Sequence, residues 1–380
     1  MSTFSDLLDI TQTIATPAAL AFSSCLLLCL GLVSTKHWHG HHTLDFTDGV
    51  QKLHISPTPR VGGLPIMVCL IFAWSQSQGE IKELLTTMLI SGLPAFIFGL
   101  AEDLTKRVRI RLRLLATITS GLLAWWLTDY SLSRLDIWGI DSLMKWQLVS
   151  VTFTAFAVGG VANAFNIIDG LNGLASGVAM TAFVGLAAIS YGVGDGHLAA
   201  LSMLFFFAVA GFFVVNWPFG KIFLGDGGSY LVGFSLAWIG VLLVERNPSV
   251  SAFAPVLICV YPITEVLFSV YRRAMHKEHV GMPDRLHFHS LVKRRYIRRW
   301  FAELNTVGRN SIAGLLVSLF TLKAVILALY IYDSAWLSLL AIIYLGFAYV
   351  AVYARIVRHR WCSPFLFLFV KPTRVFARAS

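Results

Sequence analysis

The sequence predicts an all-α, polytopic integral membrane helix bundle of about 11 transmembrane helices, with 10 as the nearest alternative count. The N-terminus is expected outside and the C-terminus in the cytoplasm. Three observations carry this expectation. Of the 380 residues, 57% are hydrophobic and only 13% charged, about half the charged share of a soluble domain. Apolar runs of bilayer length recur along the chain. The third observation is where the cations lie. Net charge is +10, and of the 30 Lys and Arg, three fall in 36–61, five in 102–113, one in 218–227, ten in 272–310 and six in 355–380. In an eleven-span chain those five stretches share one side, which the positive-inside rule makes cytoplasmic. Disorder, a fibrous repeat and an ordinary soluble enzyme are excluded by the same composition.

The elements follow in order. The first run, 14–35, has no Lys or Arg before it. It therefore lacks the basic start of a cleaved signal and is expected to be a span. The second, 62–79, is preceded by Pro57-Thr58-Pro59-Arg60-Val61-Gly62-Gly63, a rigid turn leading into a helix. The third, 83–101, ends at Glu102-Asp103 and a basic stretch through Arg113; the fourth, 114–129, is short like the second. The fifth to eighth runs are 147–165, 173–193, 197–217 and 228–245; the last three are 250–271, 311–332 and 335–354. Only Glu265 and Lys323 are charges well inside a run. Glu265 is read as hydrogen-bonded within the bundle and Lys323 as packed toward its interior. Cys25, Cys29, Cys69, Cys259 and Cys362 show no metal or disulfide spacing and read as small packing residues. With no internal repeat, residues 1–380 are expected to form one integral domain whose cytoplasmic loops are 36–61, 102–113, 166–172, 218–227 and 272–310.

Those connections also hold the unusual polar residues. Glu102 and Asp103 stand at a membrane border, where neither orientation nor anionic lipid favours an acid, so they are functional candidates. The five cations that follow are accounted for by orientation and headgroup contact. Asn163, Asn166 and Asp169 recur at a spacing of three and share a helix face. With Asn172 they offer hard oxygens and carboxamides suited to magnesium, a nucleobase or sugar hydroxyls. Gly225-Asp226-Gly227-Gly228 sets one acid among glycines just before a helix, so that backbone is able to approach a ligand closely. The long connection carries Arg272, Arg273, His276, His279, Arg285, His287 and His289. Paired histidines raise zinc, but no cysteine joins them and the arginines repel a cation, so anion binding is favoured. A nucleic-acid partner is not expected. Acids for a divalent metal, cations for phosphates and carboxamides for a base or sugar lie along an apolar bilayer. That is the inventory for phosphoryl transfer onto a lipid.

Taken together the clusters resemble the polyprenyl-phosphate N-acetylhexosamine-1-phosphate transferases, glycosyltransferase family 4. The resemblance runs from about Pro57 to Leu291 in the family's order. Its most specific parts are Asn163-x-x-Asn166-x-x-Asp169-Gly170-x-x-Gly173-Leu174 and Phe223-x-Gly225-Asp226. It implies transfer of a HexNAc-1-phosphate from a UDP-sugar to undecaprenyl phosphate with release of UMP. It also implies Mg2+ as cofactor, with Mn2+ as the alternative, and membrane lipids as surroundings. The location implied is the bacterial inner membrane with its site on the cytoplasmic face; a homodimer is left open.

Roles implied by the resemblance are as follows. Asp226 and Asn166 match positions that hold metal and diphosphate, and Asp169 lies near the metal. Asp103 matches the acid that activates or positions the lipid phosphate, with Glu102 as its neighbour. Phe223 and Asn172 match uracil-binding positions, and Asn163 belongs to the same substrate motif. Arg109, Arg111 and Arg113 all lie where a cation meets the lipid phosphate. Arg285, His287 and His289 fall in the loop that meets diphosphate and sugar.

Two departures stand out. The family usually has Asp-Asp where this chain has Glu102-Asp103, and Glu adds a methylene. The loop reads His287-Phe288-His289-Ser290 rather than an unbroken histidine cluster, which looks more like O-antigen- or capsule-initiating members. The rival reading is a secondary transporter or lipid-linked flippase, which needs coupling charges near the midplane; only Glu265 and Lys323 support it. A non-catalytic homologue is the third reading.

Overall fold

A computed structural model describes residues 4–45, 57–277, 284 and 286–358; Arg285, Lys52 and Cys362 lie outside them. The described chain is almost wholly helical. Helix α1 (Phe4–Ser34) is followed by the short α2 (Lys36–Thr43). Strands β1 (Leu44–Asp45) and β2 (Thr58–Pro59) form one antiparallel pair, with Leu44 opposite Pro59 and Asp45 opposite Thr58. Next come α3 (Gly63–Gln76), α4 (Gly79–Thr105), α5 (Ile110–Thr128), α6 (Ile140–Met144) and α7 (Gln147–Ile168). They are followed by α8 (Leu174–Gly192), α9 (Gly196–Asn216) and α10 (Gly225–Arg246). Helices α11 (Phe253–Ile258) and α12 (Val260–Met275) come next. Helix α13 (Phe288–Val292) continues through a π-helical stretch, Lys293–Ile297, into α14 (Arg298–Trp300). Two long helices, α15 (Thr306–Ile331) and α16 (Ala335–Val357), complete the described chain.

All eleven expected runs are helical. Among the described residues nine helices are long and apolar enough to cross a membrane. The second run gives only the 14-residue α3. The ninth is broken between α11 and α12 at Cys259. The protein is therefore an all-α multi-pass membrane bundle.

Helix α10 is its axis. Of its apolar stretch 94% is buried inside the protein, against 17% for α16 at the periphery. At one end Arg246 pairs with Asp195 at 2.7 Å and Glu80 at 2.6 Å, joining the C-terminus of α10 to the N-termini of α9 and α4. The other end gathers the termini of α3, α4, α7 and α10 that carry the polar clusters.

Lys323 departs from expectation. It is exposed on the outer face of α15, near exposed Leu319 and Ile326, and does not pack inward. Its stem allows the ammonium to reach toward the nearer helix end. Cys25, Cys29, Cys69 and Cys259 are buried free thiols, consistent with packing residues.

Candidate active site

The first and fourth polar clusters dock through their backbones. Phe223 N–H donates to Pro59 O at 2.8 Å, and Gly62 and Gly63 N–H donate to Phe223 and Leu224 O at 2.9 Å each. On the other side, Arg60 N–H donates to Thr43 O at 2.8 Å. Arg60 is thus fixed between the end of α2 and the start of α10. The glycines of the fourth cluster serve this packing rather than a ligand. A Cβ on Gly63 would sit 2.3 Å from Gly228 N, and one on Gly99 2.6 Å from Gly227 N. Helices α3 and α4 therefore touch α10 backbone to backbone.

Asp103, at the last turn of α4, enters the gap so made. Its Oδ1 accepts the Asp226 N–H and its Oδ2 the Gly227 N–H, both at 2.9 Å. A carboxylate here satisfies donors that have no partner inside α10 and complements the helix dipole. Gly225, at φ +77°, is required beside it, since a Cβ would lie 2.6 Å from Asp103 Oδ2.

Two arginines close the centre. Arg60 and Arg113 each pair with one carboxylate oxygen of Asp226. Arg60 Nε also lies 3.4 Å from Asp103 Oδ1. Burial works to lower the Arg60 pKa, but Asp226, Asp103, Asp45 and Asp169 together hold it above its ordinary value. Lys106 donates to Asp103 O at 2.7 Å, and its pKa is lowered by burial and by Arg60.

The asparagine motif borders this centre. Asn166 Nδ2 donates to Ser229 Oγ at 3.0 Å, which directs its Oδ1 elsewhere. Asp169 is the C-cap of α7, with φ −76° and ψ 54°, so it leaves the helical face that its spacing suggested. Burial pushes its carboxyl up to about 7, against the pull of Arg60 and of the Gly225 N–H. Asn163 donates to Thr117 Oγ1 at 2.9 Å and Gly159 O at 2.8 Å, turning toward α5. Asn172 is buried and donates to Ser311 Oγ at 3.2 Å, while Phe223 is half-buried.

The histidine segment lies alongside. A Cβ on Gly170 would meet His289 Nε2 at 2.5 Å. The rings of His287 and His289 stack, with centroids 5.5 Å apart and planes 5° from parallel. His289 is buried and its Nδ1 has no hydrogen-bond partner; burial lowers its pKa to about 4. His287 Nδ1 lies 3.0 Å from Glu265 Oε1.

The structure thus unites Asp103, Asp226, Asn166, Asp169 and Arg113, with His287 and His289 on the Gly170 side. It separates Arg109 and Arg111, both exposed. Glu102 is occupied locally, where its Oε2 accepts the Val108 N–H at 2.8 Å. Sequence reasoning did not assign Arg60, although the turn Pro57-Thr58-Pro59-Arg60 set a lone cation at a helix start beside the other clusters.

The oxygen set of Asp226, Asp169 and Asn166 Oδ1 fits a hard divalent cation in donor type, while in this structure both Asp226 oxygens are paired with Arg60 and Arg113. Among the described residues, no cluster of three or more His, Cys, Asp or Glu forms a metal cage. A cation here would therefore share its coordination with substrate oxygens or water.

A family model described as glycosyl transferase family 4 matches residues 85–244. A Thermotoga maritima undecaprenyl-phosphate alpha-N-acetylglucosaminyl 1-phosphate transferase is 30% identical over 273 residues, covering 72% of this chain and 80% of its own. A Bacillus subtilis protein named as a probable undecaprenyl-phosphate N-acetylglucosaminyl 1-phosphate transferase is 25% identical over 249 residues, 63% of this chain and 66% of its own. The Escherichia coli K12 undecaprenyl-phosphate alpha-N-acetylglucosaminyl 1-phosphate transferase is 27% identical over 254 residues, 64% and 67% of the two chains.

Proposed function

We propose that this chain, which belongs to glycosyl transferase family 4, transfers a HexNAc-1-phosphate from a UDP-sugar to undecaprenyl phosphate and releases UMP. The reaction would begin a lipid-linked cell-envelope glycan such as O-antigen or capsule. The observation that carries this reading is the convergence of Asp103, Asp226, Arg60 and Arg113 at one end of an apolar bundle. The relatives' names supply the acceptor and the transferred group. The uneven cation distribution supports a site on the cytoplasmic face of the bacterial inner membrane.

In this reaction an oxygen of the lipid phosphate bonds to the β-phosphorus of the donor. The bond from that phosphorus to the bridging oxygen breaks, and its electron pair leaves on UMP. A phosphate ester loses its second proton near pH ~6, so the acceptor is largely dianionic at neutral pH and needs no strong base. Both Asp103 oxygens are engaged by the α10 amides, which supports a positioning role. It holds Asp226 and thereby Arg60 and Arg113 in place. Those guanidiniums offer fixed positive charge where the phosphates meet. Asp226, Asn166 and Asp169 would hold Mg2+, or Mn2+ in its place, and the ion would supply further positive charge against the diphosphate.

Neither in-span charge favours a transport path, because Glu265 is engaged by His287 and Lys323 faces outward. The test is to incubate membranes containing the chain with undecaprenyl phosphate, Mg2+ and a panel of UDP-sugars. UMP release that requires the lipid phosphate is expected with at least one UDP-HexNAc. No release with any sugar, alongside sugar- or lipid-dependent transport, would overturn the reading.

A further inference from the structure

Glu265 is an acid inside an apolar helix, almost wholly buried, and needs a reason to be there. Its Oε1 accepts from His287 Nδ1 and from the Phe288 N–H, each at 3.0 Å. One carboxylate oxygen thus fixes both the ring of His287 and the first residue of α13. The other constraints on that ring are independent of Glu265. His289 stacks on its face. Its Nε2 lies 3.9 Å from Asp284 Oδ2. Asp284 is itself held by Arg272, by Ser269 Oγ at 3.0 Å and by the Leu286 N–H at 2.8 Å.

A carboxylate at Nδ1 decides which nitrogen carries the proton. With Glu265 accepting, Nδ1 is the donor, so the neutral ring presents Nε2 as its free nitrogen. His287 is partly exposed, whereas the neighbouring His289 is buried against Gly170.

We propose that Glu265 is a positioning residue that acts through His287, holding its Nε2 ready to accept from a hydroxyl of the transferred sugar. This rests on the transfer reading above. A carboxylate that orients an imidazole by its second nitrogen is a recurring arrangement where the first must meet a ligand with fixed geometry. Burial makes it effective, since Glu265 is shielded from bulk solvent and the pair lies in a low-dielectric setting.

The tautomer is tested first, on the full-length chain in detergent with 15N-labelled histidine. The His287 signal is assigned by its loss in His287→Gln. The wild type is expected to show the Nδ1–H form when neutral. Glu265→Ala is expected to return the ring to the Nε2–H form that free histidine prefers. An Nε2–H ring in the wild type overturns the proposal whatever the activity.

Kinetics supply the second arm. Glu265→Ala and His287→Ala are each expected to lower kcat about 10²-fold, the scale of one positioned group, with KM for the UDP-sugar nearly unchanged. The double variant is expected to lose no more than the worse single variant. Glu265→Gln keeps an oxygen for both donors and is expected to recover most of kcat. Losses that multiply in the double variant mean that Glu265 acts independently of His287, and overturn the proposal. A wild-type chain that releases no UMP overturns the transfer reading instead, while the tautomer result stands on its own.

Discussion

The carboxylate of Asp103 accepts the backbone N–H groups of both Asp226 and Gly227, each at 2.9 Å. One acid thereby caps a helix 123 residues away and fixes the neighbour that carries the two arginines. Asp103→Asn leaves only one acceptor oxygen for two amides. UMP release should be abolished, and thermal unfolding in detergent should show a loss of about 1 kcal/mol, the usual worth of a cap. The chain should still insert in the membrane. Near-normal UMP release would remove Asp103 from the site. Glu102→Gln is the contrast, because its amide oxygen still accepts from Val108 N–H. It should remain within about threefold of wild type, as for a surface substitution.

The three basic candidates separate by geometry. Arg113 pairs with Asp226, whereas Arg109 and Arg111 are exposed. Arg113→Ala should lower kcat about 10²- to 10³-fold, the cost of removing one preorganised charge-stabilising donor. Arg109→Ala and Arg111→Ala should change it little. Equal losses from all three would point to a diffuse electrostatic effect and away from the pair.

Close contact between α3 and α10 sets the position of Arg60. Gly63→Ala places a methyl 2.3 Å from Gly228 N, in backbone that has no flexible tip to yield. A loss of roughly 1–3 kcal/mol is expected from overpacking, together with reduced UMP release as Arg60 moves from Asp226. An unchanged melting temperature would show that the helices are not held this tightly.

His289 gives a pH signature. Burial depresses its folded pKa from 6.5 to about 4. Between those values the unfolded chain takes up a proton that the folded chain does not, so this contribution to stability is present above pH 6.5 and is lost as pH falls toward 4. His289→Gln should therefore flatten the fall in melting temperature over that window. An unchanged slope would contradict a neutral buried imidazole.

The bundle was legible because bilayer-length apolar runs and cation placement are local or summed properties. The acidic pair was legible as a site but not as two different roles. Successive helical residues differ in direction by about 100°, so Asp103 turns into α10 while Glu102 turns to its own loop at Val108. Gly225-Asp226-Gly227-Gly228 suggested room for a ligand. The room is filled by Gly63 and Gly99, which no spacing within the motif reveals. Asp169 ends α7 as a C-cap, so its register-based face does not survive the helix terminus. The pairing of Glu265 with His287 was equally hidden, since it joins a helix to a loop 22 residues later.

The central claim is tested most directly by mass analysis of the lipid product. Wild-type protein, undecaprenyl phosphate, Mg2+ and the active UDP-HexNAc should yield a lipid heavier by one HexNAc-phosphate, in equal amount to the UMP released. Asp226→Asn should yield neither. A lipid left unmodified while UMP appears, or full product from Asp226→Asn, would contradict the assignment of transfer to this site.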